Sequence, residues 1–245
     1  LTTASKTVAV GANAGGSLTT GENSVAIGYD ALATETTLSG KVAVGYNALR
    51  LSTGNYNTGV GYAAGANLGS GINNTAIGHW SLTNATTGSG NTAIGRSAAA
   101  QITTGDNNIA LGQGALGTTT TGDNNIAIGV GALDSTGNED TSNNVAIGRA
   151  SLTNSTTGGS NTAVGSFTLN ANTTGVNNVA LGYYSLYANT TGEQNIAIGR
   201  ETLEANTTGS HNIAIGGFNL DANTTGNYNT SVGRSALGAN TTADY

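Results

Sequence analysis

A five-residue motif that returns at an almost constant spacing constrains this chain more than any other feature. The motif consists of Asn, a β-branched residue, Ala, an aliphatic residue and Gly, as in Asn-Ile-Ala-Ile-Gly at 195–199. The motif ends at 14 glycines, which are Gly11, Gly28, Gly45, Gly61, Gly78, Gly95, Gly112, Gly129, Gly148, Gly165, Gly182, Gly199, Gly216 and Gly233. Consecutive glycines are 17 residues apart, except for one interval of 16 and one of 19. Such a period predicts a solenoid in which each repeat forms one coil.

The residues before the motif Gly predict a β-strand in every coil. The third residue before it is Val, Ile or Thr, and the residue immediately before it is Val, Ile or Leu, types that favour strands. Side chains alternate along a strand, so these two columns share one face and the Ala between them lies on the other. We expect the larger columns to line the coil interior and the Ala column to pack against a second copy of the chain, so that Ala197→Asp breaks the assembly.

The second half of each coil carries Leu and then a polar turn. The Leu column comprises Leu32, Leu49, Leu82, Leu116, Leu133, Leu152, Leu169, Leu186, Leu203, Leu220 and Leu237. It predicts a second, shorter strand that forms the other wall of a thin core. The turn is typically Asn-Thr-Thr-Gly, as at 172–175, where Gly is expected to adopt a positive φ. The sequence therefore predicts an all-β, parallel β-solenoid of about 14 coils of 17 residues in a single domain spanning 1–245.

An Asn column precedes the strand in most coils. It comprises Asn57, Asn74, Asn91, Asn108, Asn125, Asn144, Asn161, Asn178, Asn195, Asn212 and Asn229. In stacked coils these side chains align, and each amide can donate to and accept from its neighbours. We therefore predict a structural Asn ladder along the solenoid.

Composition argues against several classes of partner. Charged residues make up 8% of the chain and the formal net charge is -6, so a basic surface for nucleic acid is not expected. The absence of Cys excludes disulfides and thiolate metal sites. No apolar run approaches the roughly 20 residues of a membrane-spanning helix. We expect neither a nucleic-acid partner nor a membrane span.

Catalytic and metal sites are not expected either. The two histidines, His79 and His211, lack a nearby nucleophile with a carboxylate that could complete a triad. Carboxylates recur in the turns and in a two-residue insertion, at Asp106, Asp123, Asp134, Glu139 and Asp140. They lack the dense Asp pattern of a calcium loop and are expected to be solvated. The sequence predicts no enzyme activity, no metal and no cofactor.

Two copies of the motif carry a family resemblance. The copy at 23–28, Asn-Ser-Val-Ala-Ile-Gly, resembles the head repeats of trimeric autotransporter adhesins, and the copy at 73–78, Asn-Asn-Thr-Ala-Ile-Gly, is similar to repeats of bacterial surface proteins and of phage or viral tail fibres. The resemblance covers the whole chain, although the familiar head coil is shorter than 17 residues. It implies a homotrimer of left-handed β-rolls, part of a longer extracellular fibre on a cell surface or virion, that attaches to a host protein or glycan.

A column of large side chains directly follows the motif Gly and is the candidate contact surface. Tyr29, Tyr46 and Tyr62 occupy it in consecutive coils, and Trp80 lies beside it. Exposed aromatic side chains offer much contact area at low entropic cost, so we expect these four residues, the ladder patch, to bind a sugar or a protein surface. The simpler alternative is a solvent-facing row that shields the edge of the coils.

Other functions remain open from the sequence. Neither end shows a polar or helical cap, so a self-assembling extracellular filament of coils stacked head to tail is the main alternative. The Thr-Thr pairs suggest an ice-binding solenoid, but neighbouring strand residues point to opposite faces, which opposes a flat Thr array. Asn-x-Thr sequons recur with the turn, at Asn172, Asn189, Asn206 and Asn223.

Overall fold

A computed structural model describes residues 6–20, 23–34, 36, 39–134 and 141–244. Within these residues the chain forms 14 strands of three residues each and no helix, so no described segment forms a helix that could cross a bilayer. The chain comprises two compact units, Leu1–Asp123 and Asn124–Tyr245. The expected outward bulge of the insertion, with Glu139 and Asp140, lies outside the described residues, and the single domain spanning 1–245 stays a prediction.

Parallel pairing between consecutive strands builds each unit. The first unit contains β1 (Val8–Val10), β2 (Val25–Ile27), β3 (Val42–Val44), β4 (Thr58–Val60), β5 (Thr75–Ile77), β6 (Thr92–Ile94) and β7 (Ile109–Leu111). The second contains β8 (Ile126–Ile128), β9 (Val145–Ile147), β10 (Thr162–Val164), β11 (Val179–Leu181), β12 (Ile196–Ile198), β13 (Ile213–Ile215) and β14 (Thr230–Val232). Each Ala pairs with the residue one repeat later, as Ala197 does with Ala214. The predicted parallel β-solenoid is confirmed.

The structure reverses the predicted orientation of the strand faces. Beyond Ala9, which is exposed in the first strand, the Ala column is fully buried within the single chain, as at Ala197 and Ala214, whereas the flanking aliphatic side chains face outward and Ile215 remains 38% exposed. In the coil where Gly59 replaces Ala, the interior is too narrow even for a methyl group, because a Cβ added there would lie 2.7 Å from Leu49 Cγ. Small strand residues therefore pack against Leu inside the coil, and the β-branched side chains are left on the outer face.

The Leu segment is a series of turns and not the predicted second strand. Leu203 is fully buried and forms the inner wall opposite the Ala column, as expected. Its φ is 51°, however, and Glu201 two residues earlier also has a φ of 51°. This left-handed conformation turns the chain back and is incompatible with an extended strand. Within the described residues, each coil thus contributes one strand, and the prediction of two was wrong.

Close approach between coils explains why Gly recurs at two positions. Gly199 has a φ of 139°, and a Cβ there would lie 2.7 Å from the carbonyl carbon of Gly216 in the next coil. The turn glycines do not have the predicted positive φ. At Gly158 the constraint is space, since a Cβ would lie 2.6 Å from the carbonyl O of Gly175. Adjacent coils therefore meet through backbone at both glycine columns.

We predict that Gly199→Ala lowers the free energy of unfolding by about 2 kcal/mol or more, because it adds a strained φ to a backbone clash. The matched control is Gly217→Ala in the following coil, where an added Cβ meets nothing nearer than 3.6 Å. Urea denaturation followed by circular dichroism compares the two variants. Equal midpoints for both variants would contradict the close backbone stacking of the coils.

Candidate functional site

The Asn column forms a buried ladder within each unit. The Asn195 backbone N–H donates to Asn178 Oδ1 at 3.0 Å, and Asn195 Nδ2 donates to the Gly209 carbonyl O at 2.8 Å. Asn195 Oδ1 in turn accepts from the backbone N–H of Asn212 at 3.0 Å. The 11 residues of the column are all buried. The side-chain amides thus form hydrogen bonds with backbone groups of the neighbouring coils. The predicted ladder contained only bonds between one side-chain amide and the next.

A second buried Asn ladder runs through the turns of the second unit, and the sequence did not predict it. Asn189 Nδ2 donates to Asn172 Oδ1 at 2.8 Å, and Asn206 Nδ2 donates to Asn189 Oδ1 at 2.9 Å. Asn223 continues the series with a bond of 2.9 Å to Asn206 Oδ1. The same four residues head the Asn-x-Thr sequons and are fully buried. Their amides face the coil interior, so the folded chain does not present them for glycosylation.

The Thr-Thr pairs divide into an engaged column and an exposed one. Thr173 Oγ1 donates to the Thr190 carbonyl O at 3.0 Å, and Thr190 Oγ1 donates to the Thr207 carbonyl O at 3.0 Å. The second residue of a pair, such as Thr174, is exposed. The first hydroxyl of each pair therefore supports coil stacking, and the two hydroxyls are not equally available to solvent.

The structure brings the residues of the ladder patch together. The ring centroids of Tyr29 and Tyr46 are 5.2 Å apart with an interplanar angle of 10°, and those of Tyr46 and Tyr62 are 5.0 Å apart at 9°. His79 stacks on Tyr62 at 5.2 Å, and Trp80 meets His79 at 4.3 Å and the edge of Tyr62 at 6.5 Å. The four predicted residues and His79 therefore form one exposed aromatic surface.

Stacking decides which part of each ring the ladder patch offers to a ligand. The inner rings, Tyr46 and Tyr62, each have a stacked neighbour on both sides, so their ring edges and hydroxyls are what remain available. Trp80 is 45% exposed and tilted by 40° against His79. A sugar ring is puckered and packs the apolar C–H groups of one side against an open aromatic face, which is itself apolar. The geometry thus favours Trp80 as the stacking position and the tyrosines as a row of hydroxyl groups.

A second aromatic cluster, which the sequence analysis missed, lies in the second unit. Tyr184 contacts Phe167, Tyr183 and Tyr187 with centroid distances of 5.2, 4.5 and 4.6 Å. The Arg149 guanidinium lies over Phe167, 5.4 Å from the ring centroid. Desolvation, followed by the neighbouring Tyr183, raises the pKa of Tyr184. The signal in the sequence was the Tyr-Tyr pair at 183–184, whose second residue falls outside the column that follows the motif Gly.

Charged side chains cluster near Arg200. The guanidinium of Arg200 binds Glu201 Oε1 at 2.6 Å and lies 5.2 Å from the centroid of Phe218. Partial burial raises the pKa of Glu204, to which the carboxylates of Glu201 and Asp221 also contribute, while Arg200 opposes the shift. Among the described residues no group of three or more His, Asp or Glu is placed to hold a metal ion. The cluster holds a surface ion pair between Arg200 and Glu201.

Both histidines take part in aromatic stacking. His79 belongs to the aromatic surface described above, and His211 stacks on Tyr228 with centroids 4.8 Å apart and planes within 2°.

No protein family model matches this chain, and no curated protein matches it.

We predict that Asn195→Asp destabilises the chain by about 3 kcal/mol near neutral pH, because a buried carboxylate replaces an amide donor that faces two acceptors. The folded state favours the protonated carboxyl, so its pKa rises above the unfolded value of about 3.9. The penalty is therefore full above the folded pKa and shrinks as pH falls through it. Thermal melts of the variant and the parent at several pH values measure this difference.

The matched control for this change is Gln194→Glu, the same amide-to-acid replacement at the adjacent exposed position. It should melt close to the parent at every pH. A melting temperature for Asn195→Asp equal to that of Gln194→Glu would show that the buried amide ladder contributes little to stability.

Proposed function

We propose that this chain is a non-enzymatic structural and adhesive segment of an extracellular fibre, assembled as a homotrimer of left-handed β-rolls. The fibre stands on a cell surface or a virion and presents its outer side chains to a host protein or glycan. The resemblance of the motif to adhesin head repeats and tail-fibre repeats supports this function, as does the β-solenoid fold of the described residues.

The outer face of the strands is the observation that carries the proposal. Aliphatic side chains on this face repeat from coil to coil in both units, and Ile94, Ile128 and Ile215 are 37–38% exposed in the single chain. Contiguous apolar patches of this kind are typical of protein interfaces. Packing this face of three copies together removes the aliphatic columns from water. The Ala column, which is already buried within the coil, needs no partner.

Assembly also gives the ladder patch a mechanism of attachment. Each copy contributes one set of the exposed residues Tyr29, Tyr46, Tyr62 and Trp80. Three identical sets on a rigid support multiply weak contacts, because each contact after the first is effectively intramolecular. The ladder patch itself involves none of the outward aliphatic columns.

We predict that Ile215→Asp converts the trimer to a monomer while the chain remains folded, since it places a charge in the proposed apolar interface. The control is Thr208→Asp, which adds the same charge at an exposed turn position of the same coil. Light scattering gives the mass and circular dichroism gives the fold. On a glycan array, the monomeric variant should lose apparent affinity relative to the control through loss of multivalency.

A monomeric parent chain, or an Ile215→Asp variant with the parent mass, would contradict the proposed interface. Ala197→Asp does not serve this purpose, because Ala197 is buried inside its own coil. That change is expected to unfold the chain in any oligomeric state. The sequence-based expectation, that Ala197→Asp breaks the assembly, assumed that Ala197 lies at the interface.

The second candidate is a filament in which coils of different subunits stack end to end. The observation that favours it is the hydrogen bonding from coil to coil, as between the Asn195 N–H and Asn178 Oδ1, which a coil of another subunit would provide in the same way. Electron microscopy of the purified chain separates the candidates, because a filament gives particles of variable length and a trimer gives particles of one length.

A further inference from the structure

We propose that Tyr29, Tyr46 and Tyr62 form an oxidative crosslinking site, at which dityrosine bonds join neighbouring coils of one chain. This modification goes beyond the adhesive function and does not depend on it. The three rings are 43–51% exposed, so a diffusible oxidant reaches them. The chain contains no Cys, so disulfides cannot provide a covalent link between coils.

The backbone enforces the proximity of the three rings. The carbonyl O of Tyr29 accepts a hydrogen bond from the Asn47 N–H at 2.9 Å, and that of Tyr46 accepts one from the Ala63 N–H at 2.8 Å. The carbonyl O of Tyr62 accepts in the same way from the Trp80 N–H at 3.0 Å. Each ring is therefore attached to backbone held against the next coil. Centroid distances of 5.0–5.2 Å are set by the stacking of the coils and not by a chance encounter of side chains.

The arrangement suits radical coupling between adjacent phenols. The rings of the Tyr29–Tyr46 and Tyr46–Tyr62 pairs are nearly parallel and in stacking contact, and they come from equivalent positions of consecutive repeats. Exposed aromatic side chains rotate on a fast timescale relative to folding. A small rotation about the side-chain bonds therefore brings together the ring carbons next to the hydroxyls. Tyr56 provides a contrast, since it is 62% exposed and no described ring packs against it.

The reaction requires a one-electron oxidant, for which the class is a haem peroxidase supplied with hydrogen peroxide. Each of two tyrosines loses one electron and one proton to give a phenoxyl radical. The radicals couple through the carbons ortho to their oxygens, forming one C–C bond, and both rings regain their phenol groups as the two ortho hydrogens move to oxygen. Overall, two tyrosines and one hydrogen peroxide give one dityrosine and two waters.

Trypsin cleavage allows each crosslink to be identified. Tyr29 lies in the tryptic peptide 7–41, Tyr46 in 42–50, and Tyr62 together with Tyr56 in 51–96. The proposed bonds therefore join peptide 42–50 to 7–41 or to 51–96, with loss of two hydrogens. The remaining clustered tyrosines, Tyr183, Tyr184 and Tyr187, share the single peptide 150–200 and cannot produce these products.

The experiment treats the folded full-length chain with horseradish peroxidase and hydrogen peroxide, then digests it and analyses the peptides by mass spectrometry. An equal mixture of isotope-labelled and unlabelled chains distinguishes bonds within a chain from bonds between chains. We expect same-isotope products of 42–50 with both neighbours, and loss of both products in Tyr46→Phe. In that variant Tyr29 and Tyr62 are two coil spacings, about 10 Å, apart.

Tyr56→Phe is the matched control and should retain both products. Fragment spectra assign the crosslinked residue within 51–96. Mixed-isotope products in place of same-isotope ones would overturn the proposal, as would equal yields from the chain oxidised in denaturant. Loss of the 42–50 to 51–96 product in Tyr56→Phe would also overturn it, because the unstacked tyrosine would then be the reactive one. Circular dichroism verifies that both variants fold.

Discussion

Hydrogen bonding between a residue and its counterpart one repeat later is the interaction on which the rest of the structure depends. A strand of three residues has little stability alone, so each coil relies on its neighbours, as in other solenoids. At Asn195 both the backbone and the side chain bond to adjacent coils. This stacking requires Gly at 199, where the next backbone comes too close for a side chain. It also places equal side chains above one another, which produces the rows at the surface.

The sequence predicted the coils and the strand at each motif because their signal is the period itself, whereas the second strand that it predicted is a series of turns. The alternation of side chains along 196–198 showed that Ala197 points to the opposite face of the strand from its two neighbours. It did not show which of the two faces lies inside the coil. That choice depends on how the chain turns back after the strand, and it turns through the left-handed residues Glu201 and Leu203. Propensity opposes such a conformation for Leu, so no local rule predicts it. The contact between Tyr29 and Tyr46 could be predicted because both residues hold the same position in consecutive repeats. The cluster around Tyr184 could not, because it depends on where side chains from different repeat positions meet.

Polar and apolar groups are distributed in an unusual way across this fold. Two columns of Asn are buried with their amides paired, while aliphatic columns remain on the outer face of the strands. The buried amides are stable because each has a partner in the next coil. Among the described residues the aliphatic columns remain partly exposed, which supports the proposed assembly. Low charge is consistent with this arrangement, since coil stacking and not ion pairing holds the structure together. The aromatic residues then remain available for attachment or modification.

The orientation of the strand is the central claim, and cysteine accessibility tests it most directly because the chain contains no Cys. Ala214→Cys and Ile215→Cys place a thiol on the two opposite faces of one strand. We expect the thiol at 214 to resist a maleimide reagent at every protein concentration. The thiol at 215 should react in dilute solution and become protected as the chains associate. Faster labelling at 214 than at 215 would contradict the orientation and, with it, the proposed interface.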